Sequence, residues 1–125
     1  MELEKIDWKQ IKNRLFAAAA TSRCKRLQVA SMSIEDLVWT TNGTEPGTYC
    51  NGKLGNCGCL HAEKKLLGRT NVPIERLAIT HSPCLVCSKI IFAKGVKEVY
   101  FFNEYRTKSG IKYLIARGVK CVKLN

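Results

Sequence analysis

No apolar run in this chain reaches the 18 or so residues that a membrane-spanning helix needs. The stretch from Met1 to Gln10 alternates acidic, basic and apolar residues, unlike the charged start and apolar middle of a signal peptide. These absences set aside a helical membrane anchor and a secretory route, and they predict a soluble cytoplasmic protein. Internal repeats and low-complexity segments are also lacking, which sets aside a repeat architecture. Acidic residues are few: 10 Asp and Glu stand against 21 Lys and Arg, for a formal net charge of +11. Such a balance favours an anionic partner, whether a nucleic acid, a nucleotide phosphate or simply counterions at a soluble surface. The basic residues form no long block, which weighs against nucleic acid without excluding it.

What is present suits one domain over residues 1–125, since 125 residues with 46% hydrophobic content can bury a sizeable core. Seven cysteines would suit a disulfide framework in an exported chain. Here the count is odd, no export signal stands at the start, and two cysteines form Cys84-Leu85-Val86-Cys87, so reduced thiolates holding metal fit better.

Apolar periodicity predicts a covering helix from about Asp7 to Ala20, with Trp8, Ile11, Leu15, Ala18 and Ala19 on one side. Leu27–Ser33 and Leu37–Thr41 read as a two-stranded hairpin. Asn42 to Leu60 is a glycine-rich loop that also contains Cys50, Cys57 and Cys59. A short helix from His61 to Leu67, ended by Gly68, follows, and then a strand over Glu75–Thr80. Cys84–Lys94 is a helix stopped by Gly95, Val96–Phe102 a strand, Ser109–Arg117 a helix stopped by Gly118, and Val119–Leu124 a last strand. In the third of these helices Ile111, Leu114 and Ile115 share a face, and Cys121 reads as a small core residue of the last strand. This alternation implies an α/β layer structure with right-handed crossovers and mostly parallel later strands.

Two short motifs carry the chemistry: His61-Ala62-Glu63 and Pro83-Cys84-Leu85-Val86-Cys87, with 19 residues between Glu63 and Pro83. Cys84 and Cys87, three apart at a helix start, can turn both sulfurs to one point, where the positive helix end favours thiolates. With His61 they make three ligands, and a zinc site with three protein ligands keeps a position for water. His61 and Glu63 are two apart and would diverge inside a helix. They converge only if the metal lies off the helix N-terminus, so two helix ends are expected to face one zinc, at the strand ends where α/β sheets bind ligands. Glu63, held off the metal, is then placed to take a proton from activated water and pass it to the substrate. Pro83, with a fixed φ and no amide proton, suits the tight entry to the second helix. A purely structural zinc clip is the rival reading, and it leaves Glu63 unexplained.

These motifs, with Ser22-Arg23-Cys24, Thr41-Asn42-Gly43, Pro46-Gly47, Ser82 and Val99 to Tyr105, resemble the cytidine and deoxycytidylate deaminase superfamily, and within it the dCMP deaminases. The resemblance implies a three-layer αβα sandwich with a mixed five-stranded sheet. It implies zinc on His61, Cys84 and Cys87, Glu63 as proton shuttle, and a cytosine mononucleotide, dCMP, converted to dUMP and ammonia. It also implies substrate contacts from Asn42, Ala62 and Tyr105, with Tyr105 packing on the base or sugar. Arg23 and Arg26 are the candidates for holding phosphate, with Lys108 behind them. Members of the group often carry a second, structural zinc, and Cys50 and Cys57 resemble its positions; Cys24 and Cys59 complete a four-sulfur site if the fold brings them together. No histidine lies in the loop before His61, so free, partly buried thiols remain the other reading. Homo-oligomers, often hexamers, are implied as well.

The chain departs from the family at Val29-Ala30-Ser31-Met32, at the longer Asn42-Gly43-Thr44-Glu45-Pro46, and at His81. His81 either lines the pocket or is a satisfied structural histidine. Two rivals stand beside the main reading: an RNA-acting adenosine deaminase, and a non-catalytic zinc module that binds nucleic acid. Phe102-Asn103-Glu104-Tyr105-Arg106 and Val86 depart from the usual pattern of the first, and Glu63 has no use in the second.

Overall fold

The computed structural model describes residues 6–22, 24, 27–43, 61–69, 73–104 and 107–125. The predicted order of elements is observed: α1 (Trp8–Ala19), β1 (Ala30–Ser33), β2 (Trp39–Thr41), α2 (Ala62–Arg69), β3 (Arg76–His81), α3 (Leu85–Ala93), β4 (Glu98–Asn103), α4 (Ser109–Ala116) and β5 (Lys120–Lys123). The five strands form one sheet in the order β2-β1-β3-β4-β5. β1 runs antiparallel to both β2 and β3, whereas β3, β4 and β5 are parallel. The sheet is therefore mixed, and the parallel half is made by crossovers through α3 and α4.

Both faces of the central strands are covered, so their sequences are apolar almost throughout. In β3, Leu77 and Ile79 join Leu66, Ile91, Val99 and Leu114 under α2, α3 and α4. Ala78, between them, faces the other way with Tyr100 and Phe102 of β4, under Ile11, Leu15, Ala18 and Ala19 of α1. Helices on each side of one sheet give the αβα sandwich. Asp7 caps α1, its Oδ1 accepting the Gln10 N–H at 3.0 Å, which satisfies one of the unpaired amides of the first turn. Among the described residues no helix is long and apolar enough to cross a membrane.

Three expectations need correction. α2 begins at Ala62, so His61 stands just before it, and the helix runs through Gly68 to Arg69. Gly95 and Gly118 have φ of +83° and +84°, the left-handed turn that ends a helix, whereas Gly68 does not adopt it and continues the coil. Ile115 is 57% exposed although Leu114 is fully buried. α4 covers the β5 side of the sheet with a narrow arc of its surface, and Ile115 falls outside that arc. Cys121 is half-buried on the edge strand and packs against the second core from its margin.

Candidate active site

The site forms where β3 ends and two helices begin, as the sequence requires. Cys84 is the N-cap of α3: its sulfur accepts the Cys87 N–H at 3.5 Å, so the two side chains are drawn to the same point. His61 precedes α2 and its carbonyl accepts the Lys65 N–H at 3.1 Å, which starts that helix. Its Nδ1 lies 3.1 Å from Cys87 Sγ and 3.4 Å from Cys84 Sγ. All three potential ligand atoms lie within 4.8 Å of one another. Zinc–sulfur bonds near 2.3 Å and zinc–nitrogen bonds near 2.0 Å place tetrahedral ligand atoms about 3.5 to 3.8 Å apart, so this donor set is of the right size for zinc.

The electrostatics also suit a cation. Hydrogen bonding from Cys87 is the main influence holding the Cys84 thiol down, to about 4, with His61 adding to it. Cys87 is pushed the other way, first by that same bond and then by burial. A cation between the two sulfurs would draw both into the thiolate form. Glu63 is 4% exposed, and burial is the chief reason that its pKa rises to about 7, in the range suited to carrying a proton.

Neighbouring elements fix these helix ends. Thr40 of β2 donates its hydroxyl to the Ala62 carbonyl at 2.6 Å, tying the start of α2 to the sheet. The Ser82 N–H donates to the Asn103 carbonyl at 2.9 Å, tying the start of the Cys84 turn to the end of β4. Gly110, in the first turn of α4, seats against that turn: a Cβ there would stand 2.1 Å from the Pro83 carbonyl oxygen and 2.6 Å from Ser88 Oγ. Only glycine permits this approach.

A recess opens beside the site. Leu27, Val29 and Ala62 give its lining apolar surface, and Asn42, His81 and Ser82 add polar groups beside His61, Glu63 and Cys84. Of the residues expected at the site, the structure brings together His61, Ala62, Glu63, Cys84, Cys87 and Asn42. Asn42 is also a clamp: its Oδ1 accepts the Val29 N–H at 2.9 Å, its Oδ1 and backbone carbonyl share the Ser22 hydroxyl at 2.6 and 2.7 Å, and its Nδ2 donates to the Leu27 carbonyl at 2.7 Å. Cys24 is buried next to Ser22, whose Oγ accepts its N–H at 3.1 Å. Tyr105, Arg23, Arg26, Cys50, Cys57 and Cys59 lie outside the described residues. Lys108 pairs with Glu104 at 3.8 Å on the surface. The residues that sequence reasoning did not place are Leu27 and Val29, which offered no signal beyond strand-like composition.

Comparison with known proteins agrees with this geometry. The model of the cytidine and deoxycytidylate deaminase zinc-binding region matches residues 7–103. A search of solved structures gives dCMP deaminase from the cyanophage S-TIM5, in complex with dCMP and dUMP, at 32% identity and a TM-score of 0.81 over 99% of each chain. ComE operon protein 2 of Bacillus subtilis is 28% identical over 123 residues, 84% of this chain. Deoxycytidylate deaminase of Schizosaccharomyces pombe is 37% identical over 76 residues, 57% of this chain. The chain spans less than two thirds of these two curated relatives, 64% of the first and 24% of the second. From the matched zinc-binding region and the full-length structural likeness, the chain belongs to the cytidine and deoxycytidylate deaminase family.

Proposed function

We propose that this protein is a zinc-dependent hydrolase that removes the exocyclic amine of a cytosine mononucleotide, with dCMP converted to dUMP and ammonia. The observation that carries the reading is Glu63, a carboxyl group buried beside three converging soft ligands and opening onto a recess. A structural zinc clip has no use for such a group, whereas hydrolysis needs a proton carrier at that position. The likeness to a cyanophage dCMP deaminase supports dCMP as the substrate.

His61, Cys84 and Cys87 would hold the zinc. When bound, it supplies Lewis-acid activation of water at neutral pH. The Glu63 carboxylate would take one proton from the attacking water and deliver it to the pyrimidine ring nitrogen, and after addition take the remaining proton of the same oxygen and deliver it to the departing amine. The water oxygen adds to the amine-bearing ring carbon, the carbon–nitrogen bond breaks, and ammonia leaves. The apolar surface of Leu27, Val29 and Ala62 keeps the base from bulk water, which strengthens each polar contact at the reacting atoms. Asn42 offers an amide proton to the sugar, Tyr105 packs on the base or sugar, and Arg23 and Arg26 hold the phosphate. We further propose one domain over residues 1–125, a homo-oligomer of hexameric type, and a second, structural zinc on Cys24, Cys50, Cys57 and Cys59.

Ammonia release across CMP, dCMP, 5-substituted dCMP, cytidine, deoxycytidine and a tRNA anticodon arm tests the substrate. Turnover is expected to be highest on dCMP. Turnover of the tRNA arm with none on any cytosine mononucleotide would refute the assignment.

A further inference from the structure

His81 ends β3 and lines the recess, yet proton transfer by Glu63 leaves it no work. Its ring is held by a neighbour. Nδ1 lies 3.0 Å from the Thr80 hydroxyl, and Thr80 is fully buried. That hydroxyl oxygen already accepts the Ala30 N–H at 3.1 Å. Among the described residues the hydroxyl proton has no acceptor other than His81 Nδ1, and a buried hydroxyl rarely leaves its proton unbonded. Thr80 therefore donates and Nδ1 accepts, which puts the ring proton on Nε2. Burial also lowers the His81 pKa, so the ring stays neutral and keeps this tautomer near pH 7.

Asn42 points the same way. Its Oδ1 accepts the Val29 N–H and shares the Ser22 hydroxyl proton with the Asn42 carbonyl, and one amide proton goes to the Leu27 carbonyl, which leaves one N–H without a partner among the described residues. Both side chains thus have a donor to offer and no acceptor. A pyrimidine nucleotide has the complementary chemistry, with acceptor oxygens on its base, sugar and phosphate.

We infer that His81 is a substrate-binding residue, whose Nε2–H donates a hydrogen bond to an acceptor oxygen of the bound nucleotide. This rests on the deaminase reading above and adds a contact to it. The test is calorimetric binding of dCMP and of deoxycytidine to zinc-loaded protein carrying Glu63→Gln, so that nothing turns over. Adding His81→Leu is expected to weaken binding about tenfold, as loss of one buried hydrogen bond does. Adding His81→Gln, which retains an N–H donor, is expected to cost at most about threefold. A leucine penalty on both ligands puts the acceptor on the base or sugar; a penalty on dCMP alone puts it on the phosphate, and either supports the inference. His81→Ala serves the same comparison if the leucine variant does not fold. Unchanged affinity in the leucine variant would overturn the inference, as would equal losses in the leucine and glutamine variants, which would show that the side chain only fills space. Failure of the parent protein to bind either ligand would overturn the deaminase reading and this inference with it.

Discussion

The two faces of the sheet are built alike but end differently. Under α1 the core is largely apolar, with Leu15 and Met32 fully buried, Trp8 tilted against Tyr100 with ring centroids 4.5 Å apart and Phe16 edge-on to Phe102 at 5.7 Å. Under α2, α3 and α4 a similar core of Leu66, Ile91 and Leu114 gives way, at the carboxyl ends of the parallel strands, to a carboxyl group, two thiols and an imidazole. There Glu63 is buried with its pKa raised, and Ser88 Oγ has no hydrogen-bond partner among the described residues. Burying such groups costs stability; on the α1 face Arg76, on the same side of β3 as Ala78, meets that cost by pairing with Glu35 at 3.0 Å, although its Nη1 has no partner among the described residues. The difference separates what holds the fold from what the fold carries, because buried ionisable groups gather at functional sites.

The sharpest way to break the comparison is on the chemical side. Cys87→Ser is expected to lower the zinc content by about one per chain and ammonia release to background, measured by metal analysis and a coupled assay. Retained zinc and activity in that variant would place the metal elsewhere. Leu15→Ala, on the other face, is expected to lose about 2–5 kcal/mol of stability in denaturant titration, with turnover per folded molecule unchanged. A fall in turnover of the folded fraction would mean that the faces are not separable. Gly110→Ala lies between the two: overpacking against Pro83 and Ser88 is expected to cost about 1–3 kcal/mol, and displacement of the Cys84 turn to speed zinc loss to a chelator. Zinc loss at the parent rate would show that the turn does not depend on that seam. Asp7→Ala should have the smallest effect, about 1 kcal/mol from the lost cap, read as a lowered Tm with zinc content unchanged.

Much of this was legible in the sequence because it rests on periodicity and on spacing. Ile11, Leu15 and Ala18 recur as a helix requires, and Val99 to Phe102 is apolar on both faces because both are covered. The i,i+2 spacing of His61 and Glu63 required a metal site off the start of a helix, and His61 indeed stands just ahead of α2. What the sequence concealed depends on partners distant in the chain. The clamp of Asn42 on Leu27, Val29 and Ser22 is invisible until β2 and β1 pair. Gly68 reads as a stop, but a glycine ends a helix only where φ turns positive, and local sequence does not settle that. Ile115 shares a periodic stripe with Leu114, yet how wide an arc of α4 is covered depends on the edge of the sheet. His81 kept two readings open because its tautomer is set by Thr80, whose own bond comes from Ala30 on another strand.

The most direct test of the account compares wild-type protein and Glu63→Gln, each with its zinc content measured, for conversion of dCMP to dUMP and ammonia. The wild type is expected to give equimolar dUMP and ammonia. Both proteins are expected to hold the same amount of zinc, and turnover in the variant to be lower by about 10²- to 10⁴-fold. A zinc-loaded Glu63→Gln protein that turns over dCMP at the wild-type rate would contradict the account.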